Sequence, residues 1–77
     1  SVLADTLEHL VKGIVDHPDD VRIQSSTSPR GDVLEVHVHP EDRGRVIGRG
    51  GRTAKALRTL VSALADGRRV RVDVADD

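Results

Sequence analysis

Apolar side chains recur along this chain with two different periods. Leu3, Leu7, Leu10 and Ile14 stand four, three and four residues apart with Val11 beside them, while Asp5, Glu8, His9 and Lys12 fall off that stripe. One stripe at helical spacing predicts an amphipathic helix over 2–15. His17-Pro18-Asp19-Asp20 then reads as a stop and a turn, because proline cannot continue a helix. Val21 to Gln24 alternates apolar with polar and predicts a short strand, followed by a Ser-, Pro- and Gly-containing link over 25–31. Alternation returns from Asp32 to His39, with Leu34, Val36 and Val38 on one face and Glu35, His37 and His39 on the other. The two strands with their short link suggest a hairpin.

Pro40-Glu41-Asp42 ends that strand and suits the first turn of a helix, acids being favoured there. The helix over 43–47 is brief, since Gly48-Arg49-Gly50-Gly51 interrupts it. A longer helix follows from Arg52 to about Asp66, with Ala54, Leu57, Leu60, Val61 and Leu64 on its apolar arc, Arg52, Lys55, Arg58 and Ser62 opposite, and Gly67 as its C-cap. Val70, Val72 and Val74 alternate with Arg69, Arg71 and Asp73 as a last strand, and Ala75-Asp76-Asp77 trails off. The order is helix, strand, strand, short helix, helix, strand. An α+β fold follows: three helices covering one face of a three-stranded sheet, the other face wet, in one domain spanning 1–77.

Composition narrows the chemistry. The 77 residues contain no Phe, Trp, Tyr, Met or Cys. Without cysteine there is no disulfide, thiolate nucleophile or zinc finger. Without aromatics there is no stacking platform for bases. A thin core of Val, Leu, Ala and Ile leaves little room for a deep substrate cavity, so an enzyme with a small-molecule substrate is not expected, nor a cofactor. No apolar run approaches the ~20 residues of a membrane span, and neither a signal peptide nor a membrane partner is expected, which points to the cytoplasm. With no Met in the chain, Ser1 is read as something other than the translation start.

The formal net charge of −1 hides a division. Residues 1–42 hold three Lys or Arg against nine acids, whereas residues 43–77 hold nine against four. Arg43, Arg45, Arg49, Arg52, Lys55 and Arg58 follow one another with no acid between them. Such a basic stripe fits a phosphate-bearing ligand, or else a solvated face whose acids come from another element.

The glycine turn decides between these. Glycines between two helices permit a tight bend and let another backbone approach unhindered. The helix that follows presents free amides and a positive dipole end, where a phosphodiester can rest. Arg49 at the tip, with Arg52 and Lys55 beyond, adds mobile cations. A P-loop is excluded because its first glycine would fall at Val46 and its lysine is Arg52. A dinucleotide fingerprint is excluded because its third glycine would fall at Thr53 and no strand leads in.

Val46-Ile47-Gly48-Arg49-Gly50-Gly51-Arg52-Thr53 resembles the VIGxxG signature of KH domains, with Gly48 to Gly51 in place of the GXXG loop. The element order resembles the type II KH arrangement, and the stretch from His39 to Val61 is similar to the small stand-alone bacterial KH proteins, the KhpA family. The resemblance implies binding of single-stranded RNA, about four nucleotides held between the loop and an adjoining groove, in an RNA chaperone or post-transcriptional regulator. It implies that Gly48 and Gly51 admit the RNA backbone, that Gly50 helps shape the loop, and that Arg49 meets phosphate. It further implies that Ile47 and Val46, with Ala54 and Leu57, line the groove or the core just behind it, and that Arg45, Arg52 and Lys55 are flanking phosphate contacts. It also implies an adaptor role, as a homodimer or with a second KH-containing protein.

Other candidates are weaker. His37 and His39 share a strand face with Glu35, but exposed strand histidines are usually plain surface residues and no metal site is assigned to them. His9 and His17 have no companions that suggest catalysis, and Asp19-Asp20 and Glu41-Asp42 read as turn and helix-start residues.

Overall fold

A computed structural model describes residues 1–76. Helix α1 spans Val2–Lys12, strand β1 Arg22–Ser28, strand β2 Gly31–His37, helix α2 Arg43–Ile47, helix α3 Arg52–Leu64 and strand β3 Val70–Val74. Single 3-10 turns at Pro18–Asp20, Pro40–Asp42 and Arg49–Gly51 join them. Of the segment 75–77, read from sequence as trailing off, Asp77 lies outside the described residues, while Ala75 N donates to Val36 O at 2.8 Å.

The sheet runs β1-β2-β3, antiparallel between β1 and β2 and parallel between β2 and β3. The hairpin places Arg22 opposite His37 and Ser28 opposite Gly31. Strand β1 is therefore longer than the alternation suggested: Ser25 to Ser28 pair with β2, leaving Pro29 and Arg30 as the turn. Its periodicity is weak because β1 is an edge strand with mostly exposed side chains, so apolar alternation is not required of it. Ser28 Oγ holds the turn by accepting from Arg30 N at 3.2 Å and donating to Gly31 O at 3.0 Å. A parallel β2–β3 pair needs a crossover, and α2 with α3 supplies it.

All three helices cover the face that carries Leu34, Val36 and Val72, as the alternation required. Leu7, Val11, Val36, Val46 and Val61 are fully buried at the centre. Each contributes about 1.5–3 kcal/mol of hydrophobic stabilisation. Ser1 caps α1, its Oγ accepting from Ala4 N at 3.2 Å. The helix stops at Lys12 rather than Val15, because Gly13 ends it and Ile14 turns back with a hydrogen bond to Val11 O. Helix α3 ends at Leu64 with Ala65 as its C-cap; Asp66 and Gly67 beyond it both take left-handed conformations. On its predicted apolar arc Ala54, Leu57 and Val61 are buried, but Leu60 and Leu64 are 47% and 56% exposed. Leu60 lies beside His9, Leu10 and Ile14, and Leu64 beside Val2, Leu3 and Thr6, along the open side between α1 and α3.

Candidate nucleic-acid interface

Buried Val46 and half-buried Ile47 anchor the end of α2. Gly48 closes it, its N–H donating to Gly44 O at 2.9 Å. Arg49–Gly51 then make one 3-10 turn, with Gly51 N donating to Gly48 O at 3.0 Å. Gly48 has φ 81° and ψ 168°, a region almost closed to L side chains. Gly50 (φ 63°, ψ 19°) and Gly51 (φ 76°, ψ 15°) are left-handed helical, where Asn and Asp are the best-tolerated alternatives.

The glycines differ in what surrounds them. A Cβ at Gly48 would fall 2.7 Å from both Cβ and N of Thr53, so the bare α-carbon lets α2 close onto the start of α3. At Gly50 and Gly51 nothing stands within 4 Å of where a Cβ would be. These two positions offer uncovered backbone to the outside. Helix α3 begins immediately afterwards with Gly51 as N-cap and no side-chain cap, leaving its positive end facing the same way.

The basic stripe is divided by tertiary contacts. Arg43 Nε donates to Ala75 O at 2.8 Å and its guanidinium lies 3.2 Å from Asp76. Arg58 Nε donates to Val72 O at 2.9 Å. Arg45, expected to flank the phosphates, pairs with Asp16 at 3.1 Å, both side chains being well exposed. Arg49, Arg52 and Lys55 are exposed, with no ion-pair partner among the described residues. The acids that the bland reading of the stripe required are thus present for Arg43 and Arg45, and the free charge concentrates at the turn.

Beside the turn lies a groove of about 590 Å³. Ile47, Gly51, Ala54 and Val74 line it, with Arg43 and Arg58 as cations and Glu35, Asp73 and Asp76 as acids. Of the residues named from sequence, Ile47 and Gly51 face this groove, and Ala54 joins them. Val46 and Leu57 belong to the core behind it.

One structural residue escaped sequence reasoning. Asp42 precedes α2 but makes no cap to it. At 2% exposure it reaches instead to the end of the α1 segment, accepting from Asp16 N at 3.2 Å, His17 N at 2.9 Å and His17 Nδ1 at 3.0 Å. Burial pushes its carboxyl upward, yet the hydrogen bonds from Asp16 N and from the ring and amide of His17 outweigh this and hold it below its ordinary 3.8. His17 is raised above its ordinary 6.5, chiefly by the hydrogen bond to Asp42; desolvation opposes this, and the charges of Asp42, Glu41 and Asp20 add to it. Twenty-five residues separate the two, so no local pattern could announce the contact. It pins the start of α2, and with it the glycine turn. His39 likewise departs from expectation. It leaves the sheet face and stacks on His17 with ring centroids 4.0 Å apart, while His37 stays and meets Glu35 at 2.8 Å.

The helix-first order, the mixed three-stranded sheet and a glycine turn between two helices define a KH domain of the type II arrangement. A sequence model of the KhpA/KhpB KH domain matches residues 4–75, and the chain belongs to that family. It is 78% identical over 76 residues to the RNA-binding protein KhpA of Leifsonia xyli, covering 99% of this chain and all of that protein. It is 64% identical over 75 residues to the RNA-binding protein KhpA of Streptomyces coelicolor, covering 97% and 94% of the two chains. The fold also superposes on a crystal structure of an Era variant from Aquifex aeolicus, with a TM-score of 0.65 at 16% identity, over 95% of this chain and 29% of that one.

Proposed function

We propose that this chain binds single-stranded RNA, about four nucleotides at a time, and acts by binding rather than catalysis, as an RNA chaperone or post-transcriptional regulator in the cytoplasm. The observation that carries the reading is the open space beside Gly50 and Gly51, next to three unpartnered cations. The sugar–phosphate chain lies against that bare backbone, with Arg49, Arg52 and Lys55 on its phosphates. Bases enter the groove over Ile47 and Ala54. The name shared by relatives of this length, RNA-binding protein KhpA, supports the same reading.

The test is anisotropy of a labelled single-stranded RNA 20-mer. Gly50→Asp with Gly51→Asp puts two anions where phosphate rests, while Gly50→Asn with Gly51→Asn matches shape and backbone demand without charge. The Asp pair weakens binding by roughly tenfold or more and the Asn pair by far less, given ~1–2 kcal/mol per misplaced charge. Equal affinity of the Asp pair and the parent chain overturns the proposal.

A second reading, an adaptor role, draws on the exposed apolar residues Val2, Leu60 and Leu64. These fit a contact with a second copy or with another KH-containing protein along the outer side of α1 and α3. Pairing of two weak grips also raises the effective concentration for RNA. Light scattering with and without RNA tests it: a mass that stays monomeric at high concentration counts against self-pairing.

A further inference from the structure

Away from the glycine turn, two connections of the chain meet: the one after α1 and the one between β2 and α2. Among the described residues, His17, His39 and Glu41 each bring one potential ligand atom within 4.8 Å of the others. His17 Nε2 lies 3.7 Å, and His39 Nδ1 3.9 Å, from the same oxygen, Glu41 Oε1. None of the three lines the groove at the glycine turn.

The surroundings of His17 distinguish this cluster from a chance gathering of polar groups. Its Nδ1 is held at 3.0 Å by the buried carboxylate of Asp42. A carboxylate on one ring nitrogen fixes the tautomer, aims the ring and leaves the other nitrogen as a lone-pair donor, the way metal-ligating histidines are oriented. The acids around His17 are Asp42, Glu41 and Asp20. Two imidazoles stacked 4.0 Å apart repel when both are protonated, whereas one divalent ion serves both rings and the carboxylate once His39 turns out of the stack.

We propose that His17, His39 and Glu41 form a three-ligand site for a zinc-class divalent transition-metal ion, with water completing the shell and Asp42 orienting His17. Two imidazoles and one carboxylate suit borderline ions such as zinc, and not magnesium or calcium, which prefer oxygen alone. A tetrahedral site with bonds of about 2.0–2.2 Å has ligand–ligand edges of about 3.4 Å, and the in-plane lone pairs of two rings 14° from parallel do not meet, so closing needs the donor atoms to draw in by roughly an ångström and the His39 ring to turn out of the stack. The side chains have that freedom, His17 being 40%, His39 31% and Glu41 74% exposed. His39 Nδ1 now accepts from Glu41 N at 3.0 Å. When that nitrogen turns to the metal, the exposed amide passes to water. The bound ion ties the segment after α1 to the turn that opens α2, so it stabilises the folded chain.

Calorimetry with zinc chloride on tag-free protein at pH 7.5, paired with thermal melts, tests this. One equivalent binds and the melting temperature rises. His39→Gln and Glu41→Gln each weaken binding about tenfold or more, the loss typical of a missing ligand or its support, whereas His37→Gln binds as the parent chain does and magnesium chloride gives no heat. Ring resonances of His17 and His39, followed by NMR in the unsubstituted chain, shift with zinc while that of His9 does not, which needs no variant to fold. No binding at about 1 mM zinc, binding unaltered in both ligand variants, or a loss confined to His37→Gln overturns the proposal.

Discussion

Thr53 occupies the space into which a side chain at Gly48 would project, its Cβ and N both 2.7 Å from that point. This close approach brings the end of α2 against the start of α3 and sets the angle at which the turn leaves the body. Position 48 therefore serves the fold, while positions 50 and 51 face outward.

Gly48→Ala is accordingly expected to cost about 2–6 kcal/mol of stability. Steric overpacking contributes about 1–3 kcal/mol, and the unfavourable backbone conformation about 1–3 kcal/mol. Gly50→Ala carries only the left-handed penalty of about 1–2 kcal/mol. Urea unfolding of the two variants measures the difference; equal losses would contradict the assignment of Thr53 as the obstacle.

Arg45 and Asp16, paired at 3.1 Å, offer a gain in RNA affinity. Both are exposed, so their pairing stabilises the fold by at most ~1 kcal/mol. Asp16→Asn removes an anion and releases Arg45 for phosphate, raising affinity by up to roughly fivefold for the same energy. Arg49→Ala acts oppositely, weakening binding for all sequences and flattening the slope of log affinity against log salt by about 0.7. Titrations at several salt concentrations check both. An Asp16→Asn chain that binds RNA no better than the parent would remove Arg45 from the interface.

His17 and Asp42 make stability depend on pH in a defined sense. The raised His17 contributes stability that is complete below its ordinary 6.5 and is lost as pH climbs through its folded value. The lowered Asp42 contributes stability present above 3.8 and lost as pH falls through its folded value. Between 3.8 and 6.5 both contributions are in place. Urea midpoints measured with a chelator present are therefore expected to decline from pH 6 to pH 8, and His17→Gln to flatten that decline. A parent chain whose midpoint rises over the same interval would exclude the His17–Asp42 bond as a net stabiliser.

Much of this was legible in the sequence because it rests on local periodicity. The stripe Leu3, Leu7, Leu10 and Ile14 with Val11 beside it, the alternation Leu34, Val36, Val38, and the run Val70, Val72, Val74 each require one buried face, and all of these residues are buried or packed against the core. The glycine turn was equally legible, since a tight bend between two helices favours residues without a Cβ, and Gly48, Gly50 and Gly51 all take positive φ. Polar β1 was underestimated: at a sheet edge, pairing comes from backbone hydrogen bonds and needs no apolar code. Leu60 and Leu64 were overestimated, since helical phase marks a side but not how closely the neighbouring helix α1 packs against it.

The amino-acid order on its own determined which elements form, which face each buries and where bare backbone interrupts two helices, for these follow from steric and hydrophobic demands acting within a few residues. Only the tertiary structure decided which cations are engaged by Asp16, Asp76 and the carbonyls of Val72 and Ala75, that Gly48 answers to Thr53, and that Asp42 joins His17 across 25 residues. Those outcomes depend on distances between segments remote in sequence. Such distances are set when the helices settle on the sheet.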